Sequence, residues 1–224
     1  MSHDCALPSD ERAHFIKSLR GRSGDTIKVT DGCGRLYSST AQIVEHDVML
    51  RDLRLLEESL EEQLPVLAVG LLKHADRMEW LVEKAVEIGT KEITWLITEK
   101  SARYGYRHER IERIAISAMK QSGRLWLPIL NKPVEIAEWI AGCNASAKFI
   151  AHCHTETEKK SLTSSAQTKP SSALLIGPEG DFSHEEIRLA TEHHFTPVSL
   201  GQSRLRSETA AIYGLSILSQ IHTH

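Results

Sequence analysis

Long hydrophobic runs are missing from this chain of 224 residues. No apolar stretch approaches the ~20 residues that a membrane-spanning helix needs, which excludes an integral helical membrane protein. The opening segment, MSHDCALPSDER, has neither the basic start nor the apolar centre of a secretion signal. A cytoplasmic protein with no membrane partner is therefore expected. Cysteine is scarce and scattered. Cys5, Cys33, Cys143 and Cys153 form no CxxC pair and read as reduced thiols. Charge excess is small as well: 27 Lys and Arg face 30 Asp and Glu, a formal net charge of −3. That excludes a histone-like cationic protein. It leaves nucleic acid open, because binding needs a local basic face rather than a basic total.

Several chemical signatures are also missing. There is no GxGxxG and no phosphate loop ending in Lys-Ser/Thr, which disfavours a nicotinamide or nucleoside-triphosphate site. There is no G-x-S-x-G and no metalloprotease helix. His152-Cys153-His154, with Cys143 nearby, fits no zinc spacing, so no metal is expected. In an extended strand the two histidines would face one way and Cys153 the other.

What is present is an ordinary globular mixture, 41% hydrophobic and 25% charged, long enough for one large domain or two small ones. Residues 1–64 and 65–224 have different grammar. The first part predicts a short helix from Ser9, as its cap, to Leu19, with Phe15, Ile16 and Leu19 on one stripe. Strands follow at Thr26–Thr30 and Leu36–Val44, separated by an Asp31-Gly32 turn. Residues 45–64 are acidic and read as a solvated strand and connector. This part is a small β-rich module, and Gln63-Leu64-Pro65 marks its boundary.

From Val66 the chain alternates strand and helix, which argues a parallel α/β sheet. Val66–Leu72, Ile93–Ile97, Ala147–Ala151, Ala173–Ile176 and Thr196–Leu200 read as strands. Asp76 and Glu79 suggest a capping box for a helix stopped by Gly89. Arg107–Ser122 is a helix ended by Gly123, and Pro133–Ile140 a short one. Residues 155–172 are polar and read as a surface loop. Ser183 and Glu186 form a second capping box, for a helix to His193. Ser207 caps a last helix to Gln220.

Two stretches concentrate the chemistry. LLIGPEGDFS (Leu174–Ser183) takes a buried strand through a glycine loop into a capped helix. LGQSRLRSETAA (Leu200–Ala211) does the same with two arginines. Glycine lets a backbone approach a ligand closely, and parallel sheets bind ligands at the carboxyl ends of their strands. Each stretch on its own is also compatible with a tight strand-to-helix turn and a charged surface.

LLIGPEGDFSHEEI and LGQSRLRSETAAI resemble the two signature stretches of the ribosomal RNA small-subunit methyltransferase E family, which belongs to the SPOUT superfamily. Further matches are Lys73 in GLLK, WLVEKAVEIG (Trp80–Gly89), Thr98-Glu99-Lys100-Ser101 and Lys120-Gln121-Ser122-Gly123-Arg124. HFIKSLRGRSGD (His14–Asp25), followed by Asp31-Gly32, resembles the family's RNA-binding module. The resemblance runs over nearly the whole chain. It departs in two places. The Arg-Phe strand that often opens the family is not seen in the first residues. The last loop often reads Leu-Gly-x-Arg-Ile-Leu-Arg; here Ser203 takes the first arginine's place, Arg204 follows one residue later, and Arg206 keeps its position.

The resemblance implies an α/β fold with a SPOUT-type parallel sheet and a C-terminal trefoil knot in residues 65–224. Residues 1–64 become a small PUA-like β-barrel domain. It implies S-adenosylmethionine as methyl donor, held by Leu175, Gly177, Pro178, Glu179, Gly180, Leu200, Gly201, Leu205, Arg206, Thr209 and Ala210. It implies a homodimer, and 16S ribosomal RNA within the small subunit as partner. The implied reaction is methylation of uridine N3, with Arg206 and Glu208 as catalytic residues. Residues expected to meet RNA are Arg20, Arg22, Arg103, Arg107, Gln121 and Arg124. They lie in two locally basic segments of a mildly acidic chain. A ribose 2′-O-methyltransferase, or a non-catalytic RNA-binding protein on the same fold, are the alternatives.

Overall fold

The computed structural model describes residues 5–59, 63–101, 106–155, 158–166 and 171–222. It divides into two compact units, Met1–Glu61 and Glu62–His224.

The first unit holds an antiparallel sheet of β1 (Cys5–Ala6), β2 (Thr26–Thr30), β3 (Arg35–Val44) and β4 (Asp47–Glu58), in the order β1-β4-β3-β2. Asp31 makes the turn between β2 and β3: its Oδ1 accepts the N–H groups of Cys33 and Arg35 at 2.8 and 3.1 Å. Gly32 follows at φ +70°, a left-handed conformation that glycine adopts without strain. The acidic stretch contributes all of β4, a strand of twelve residues. Helix α1 (Ser9–Ala13) runs into a π-helical turn, His14–Ser18.

This corner differs from expectation. Pro8, not Ser9, precedes the helix, and the helix has no side-chain cap. Of the three apolar residues only Phe15 is buried; Ile16 and Leu19 are exposed. Phe15 packs with Ala41 and Val48, and its ring lies where a side chain on Gly21 would project. One aromatic with a glycine beneath it makes the contact, so an apolar stripe is not needed.

The second unit is a seven-stranded sheet with all pairings parallel. Its strands are β5 (Val66–Gly70), β6 (Glu92–Ile97), β7 (Ile129–Glu135), β8 (Ala147–Ala151), β9 (Lys160–Ser161), β10 (Ser172–Ile176) and β11 (Thr196–Ser199). The order is β7-β6-β5-β10-β8-β11-β9. Successive residues alternate between faces. Leu67, Val69, Ile93 and Trp95 point to a core shared with α2 (Ala75–Ile88), α3 (His108–Ser122) and α7 (Ser207–His222). Ala68, Leu96, Ile150 and Leu175 point to a second core with α4 (Ile136–Gly142) and α6 (His184–Glu192). Because both faces are covered, residues 66–69 of β5 and 173–176 of β10 are continuous apolar runs.

Three expectations are corrected here. Asp76 and Glu79 form no capping box: α2 follows His74 with no side-chain cap, and Glu79 instead accepts two bonds from Arg110 of α3, at 3.1 and 2.9 Å. Pro133 lies in β7, and the helix starts only at Ile136. Strand β7 is the sheet edge, where a residue without an N–H is tolerated. Residues 155–172 are not all surface loop: they contain β9 and a short helix, α5 (Leu162–Ser165). Leu162 is fully buried in the core and Ala166 packs against it, the apolar anchors of a polar segment.

The capping box at Ser183 is present. Glu186 N–H donates to Ser183 Oγ at 3.4 Å, and Ser183 N–H to Glu186 Oε2 at 2.7 Å. Gly123 ends α3 in the left-handed region, at φ 72°. Ser207 is the first residue of α7 rather than its cap; Arg206 precedes it, and its carbonyl accepts Ala210 N–H at 2.8 Å. Among the described residues, no helix is long and apolar enough to cross a membrane.

Candidate active site

Parallel strands bring their carboxyl ends to one edge of the sheet. There the loop after β10 (177–183) and the loop after β11 (200–206) flank the end of β8, because β8 pairs with both strands. Lys73 follows β5 and Thr98–Ser101 follow β6 on the same edge.

The loop after β10 is held by packing and by carboxylates. Gly70, at the end of β5, makes room for it: a Cβ there would come within 2.5 Å of the Pro178 ring. Asp181 N–H donates to Pro178 O at 2.9 Å, closing the turn. The Asp181 carboxylate accepts the N–H of Phe182 at 2.8 Å and that of Cys153, after β8, at 2.7 Å. Phe182 is fully buried and anchors the loop below. Glu179 Oε1 accepts Lys73 N–H at 3.1 Å, and Glu186 Oε1 accepts Glu99 N–H at 2.8 Å. Three carboxylates thus tie this loop to the ends of β5, β6 and β8. Gly180 has a packing reason: a Cβ there would meet the Lys100 stem at 2.9 Å.

The loop after β11 is different. Gly201 has φ +123° and nothing within 4 Å of the space a side chain would fill. Its glycine is required by backbone conformation, and the loop is open above it. Gln202, Ser203, Arg204 and Arg206 are exposed, while Leu200 and Leu205 are half-buried. Helix α7 then approaches the sheet so closely that a Cβ on Gly214 would meet Leu174 at 2.6 Å.

Glu208, in the first turn of α7, is buried. Its Oε1 lies 3.7 Å from Arg77 Nε, and its Oε2 has no hydrogen-bond partner among the described residues. Arg77 also faces Glu179 Oε1 at 3.9 Å. One guanidinium on α2 therefore sits between a carboxylate of the first loop and one at the start of α7. Sequence reasoning missed Arg77. Its two partners lie more than a hundred residues away, and in sequence it resembles any charged residue of a helix start.

The other expected donor contacts separate by exposure. Leu175, Gly177 and Pro178 are buried, so only backbone at those positions can meet a ligand; Glu179 and Ala210 are half-buried, and Gly180 and Thr209 exposed. Among the RNA candidates, Arg20, Arg22, Arg107 and Gln121 are exposed. Arg124 donates through Nε to Glu87 O at 3.1 Å, and a terminal nitrogen donates to Ile88 O. It caps the carboxyl end of α2 over Gly89, where a cation suits the helix dipole. Arg103 lies outside the described residues. The histidine pair following β8 has rings 5.7 Å apart with Cys153 exposed between them. Among the described residues no cluster of three or more His, Cys, Asp or Glu could hold a metal ion.

The class of protein follows from comparison with known chains. A family model described as an RNA methyltransferase domain matches residues 61–219. A solved structure described as a probable rRNA-methyltransferase from Porphyromonas gingivalis is 32% identical with a TM-score of 0.90, covering 99% of this chain and 94% of that one. The ribosomal RNA small subunit methyltransferase E of Rickettsia conorii is 28% identical over 222 residues, 97% of this chain and 90% of that protein. The structure of the enzyme of the same name from Neisseria gonorrhoeae, bound to S-adenosyl methionine, is 25% identical with a TM-score of 0.80, covering 98% of this chain and 92% of that one. The chain belongs to the RNA methyltransferase family and, within it, to the ribosomal RNA small subunit methyltransferase E proteins.

Proposed function

We propose that this protein transfers the methyl group of S-adenosylmethionine to N3 of one uridine in 16S ribosomal RNA of the small subunit. The observation that carries the reading is the pair of loops flanking the end of β8. One is fastened by Glu179, Asp181 and Glu186; the other carries exposed Arg206 and leads to buried Glu208. The relatives' shared name supports the RNA substrate, and the donor-bound relative supports the donor.

The residues suit such a donor. Backbone groups of the two loops can approach it, and Gly201 leaves open space beside them. When bound, the sulfonium supplies an already activated methyl group. The protein has to place uridine N3 in line and manage one proton. N3 is protonated at neutral pH. Glu208 Oε2 is the acceptor for that proton, and Arg77 holds the other carboxylate oxygen. Arg206 stabilises negative charge as it spreads onto the uracil oxygens. N3 is on the pairing edge, so the base enters unpaired or flipped out.

The remaining parts are assigned on the same reading. A trefoil knot in residues 65–224 is supported by the insertion of β10 between β5 and β8 and by the return of α7 onto β5, β10 and α2. The four-stranded unit, residues 1–64, serves as a PUA-like RNA-binding domain, and Arg20 and Arg22 reach RNA phosphates. Arg20→Ala with Arg22→Ala should weaken RNA binding and flatten its log–log salt dependence, by roughly one unit of slope per lost contact. Donor affinity should stay unchanged. Equal slopes for variant and wild type, in filter binding across a salt series, would remove both contacts.

The protein acts in the cytoplasm during ribosome biogenesis, as a closed two-fold dimer. Sedimentation at micromolar concentration should give twice the chain mass of 25.1 kDa. An active monomer would contradict the dimer. The reading as a whole is tested by incubating purified small subunits with the protein and methyl-labelled donor. About one methyl group per subunit should enter RNA, and none without the protein.

A further inference from the structure

His152 is buried just beyond the carboxyl end of β8 and takes no part in the reaction proposed above. Ala151, at the end of β8, pairs with Ile176 of β10 on one side and Val198 of β11 on the other. One residue later, His152 stands level with Gly177 and Ser199, where both loops leave the sheet. The carboxyl end of β8 therefore lies between the two loops.

The side chain belongs to a residue only 7% exposed, and neither Nδ1 nor Nε2 has a hydrogen-bond partner among the described residues. Buried polar atoms are normally paired, because an unpaired one has given up its hydration for nothing. The neighbouring ring shows the contrast. His154 Nε2 lies 2.9 Å from the carbonyl of Phe182, which can only accept, so this nitrogen donates; the ring also packs 4.5 Å from His184. The surrounding loop gives the second imidazole a partner at Nε2, whereas the first has none among the described residues.

Charge says what the first can take. Burial holds the His152 ring neutral, with its pKa down to about 4. Lys159 and His154 act in the same direction, and Asp181 opposes them. Lys159 is fixed nearby, donating to the carbonyls of His152 and His154 at 3.0 and 2.8 Å. A neutral imidazole offers one N–H and one lone pair. That pairing suits uncharged polar groups, such as sugar hydroxyls and the edge of a purine, and it does not repel a sulfonium.

We propose that His152 is a donor-binding residue, hydrogen-bonding to the nucleoside portion of S-adenosylmethionine through both ring nitrogens. This rests on the donor site assigned above. It also makes a trade explicit: an apolar residue of similar size would have no nitrogens to leave unpaired in the ligand-free protein, and none to offer the donor.

The test is calorimetric titration of S-adenosylmethionine, and separately of methylthioadenosine, into wild type, His152→Leu and Gly201→Val, with melting curves of the ligand-free proteins. His152→Leu should melt at or above the wild-type temperature and bind both compounds at least tenfold more weakly. Gly201→Val should weaken both as well, as a marker of the site. A folded His152→Leu protein with wild-type affinity, beside a weakened Gly201→Val, would overturn the role of His152 and leave the donor site standing. Loss for S-adenosylmethionine alone would overturn the nucleoside assignment. Wild-type protein that bound neither compound would remove the donor site, and this role with it. Should His152→Leu fail to fold, wild type still decides. Saturating methylthioadenosine should move the ¹⁵N resonances of the His152 ring, and unmoved resonances would reject the contact.

Discussion

Arg206→Ala should lower kcat on small ribosomal subunits by about 10²–10³-fold, with kcat/KM falling in step. The residue precedes α7 at the mouth of the second loop. Its backbone carbonyl serves the helix, but its side chain is exposed and makes no hydrogen bond or ion pair among the described residues. Melting temperature should therefore remain near wild type. An interaction made only as charge develops on the uracil lowers the rate without weakening substrate binding. Arg206→Lys should restore little, because an ammonium lacks the planar fork that can meet two acceptors. If Arg206 gripped a phosphate instead, KM would rise, kcat would hold, and lysine would substitute well. Steady-state kinetics on both variants separate these outcomes. A near-normal kcat in folded Arg206→Ala would remove the catalytic assignment.

Glu208→Gln should be comparably damaging, about 10²–10⁴-fold in kcat, the usual range for a positioned proton acceptor. Glutamine keeps the shape and the hydrogen-bonding reach but cannot take up the uridine proton. The geometry makes the experiment clean. One carboxylate oxygen faces Arg77 and the other has no hydrogen-bond partner among the described residues. Arg77 retains Glu179 when the charge on Glu208 is removed, so the loops keep one of their ties. Single-turnover rates with bound donor isolate the methyl transfer from product release. A Glu208→Gln enzyme within tenfold of wild type in that step would assign the proton to water and leave Glu208 as a loop anchor.

How much of this was readable in advance depended on how local each signal is. The capping box at Ser183, the stop at Gly123 and the two glycine loops are short-range patterns, and the structure contains them. The missing pieces are long-range. Strand β7 was hidden by Pro133, which resembles a helix start when its place at a sheet edge is unknown. The position of β10 between β5 and β8 has no local signature, since parallel pairing is chosen by packing on both faces. Leu162 has only Ala166, four residues on, as an apolar companion, too little to stand out as a periodicity. At the site, the arginines of the second loop stood out, whereas Arg77 acquires its meaning only when Glu179 and Glu208 arrive beside it. His152 sits in a His-Cys-His run whose spacing fits no metal site, and only the fold shows that both its ring nitrogens are buried without a partner among the described residues. Arg124 is the converse. Its charge suggested RNA, and the fold uses its guanidinium on the carbonyls ending α2.

The most direct measurement is nucleoside mass spectrometry of 16S RNA taken from small subunits that lack the modification, before and after incubation with this protein and S-adenosylmethionine. One new nucleoside, N3-methyluridine, is expected at a single position, and it should be absent when Arg206→Ala protein is used for the same time. A 2′-O-methyl nucleoside in its place, or RNA left unchanged by a protein that demonstrably binds the donor, would contradict the proposed reaction.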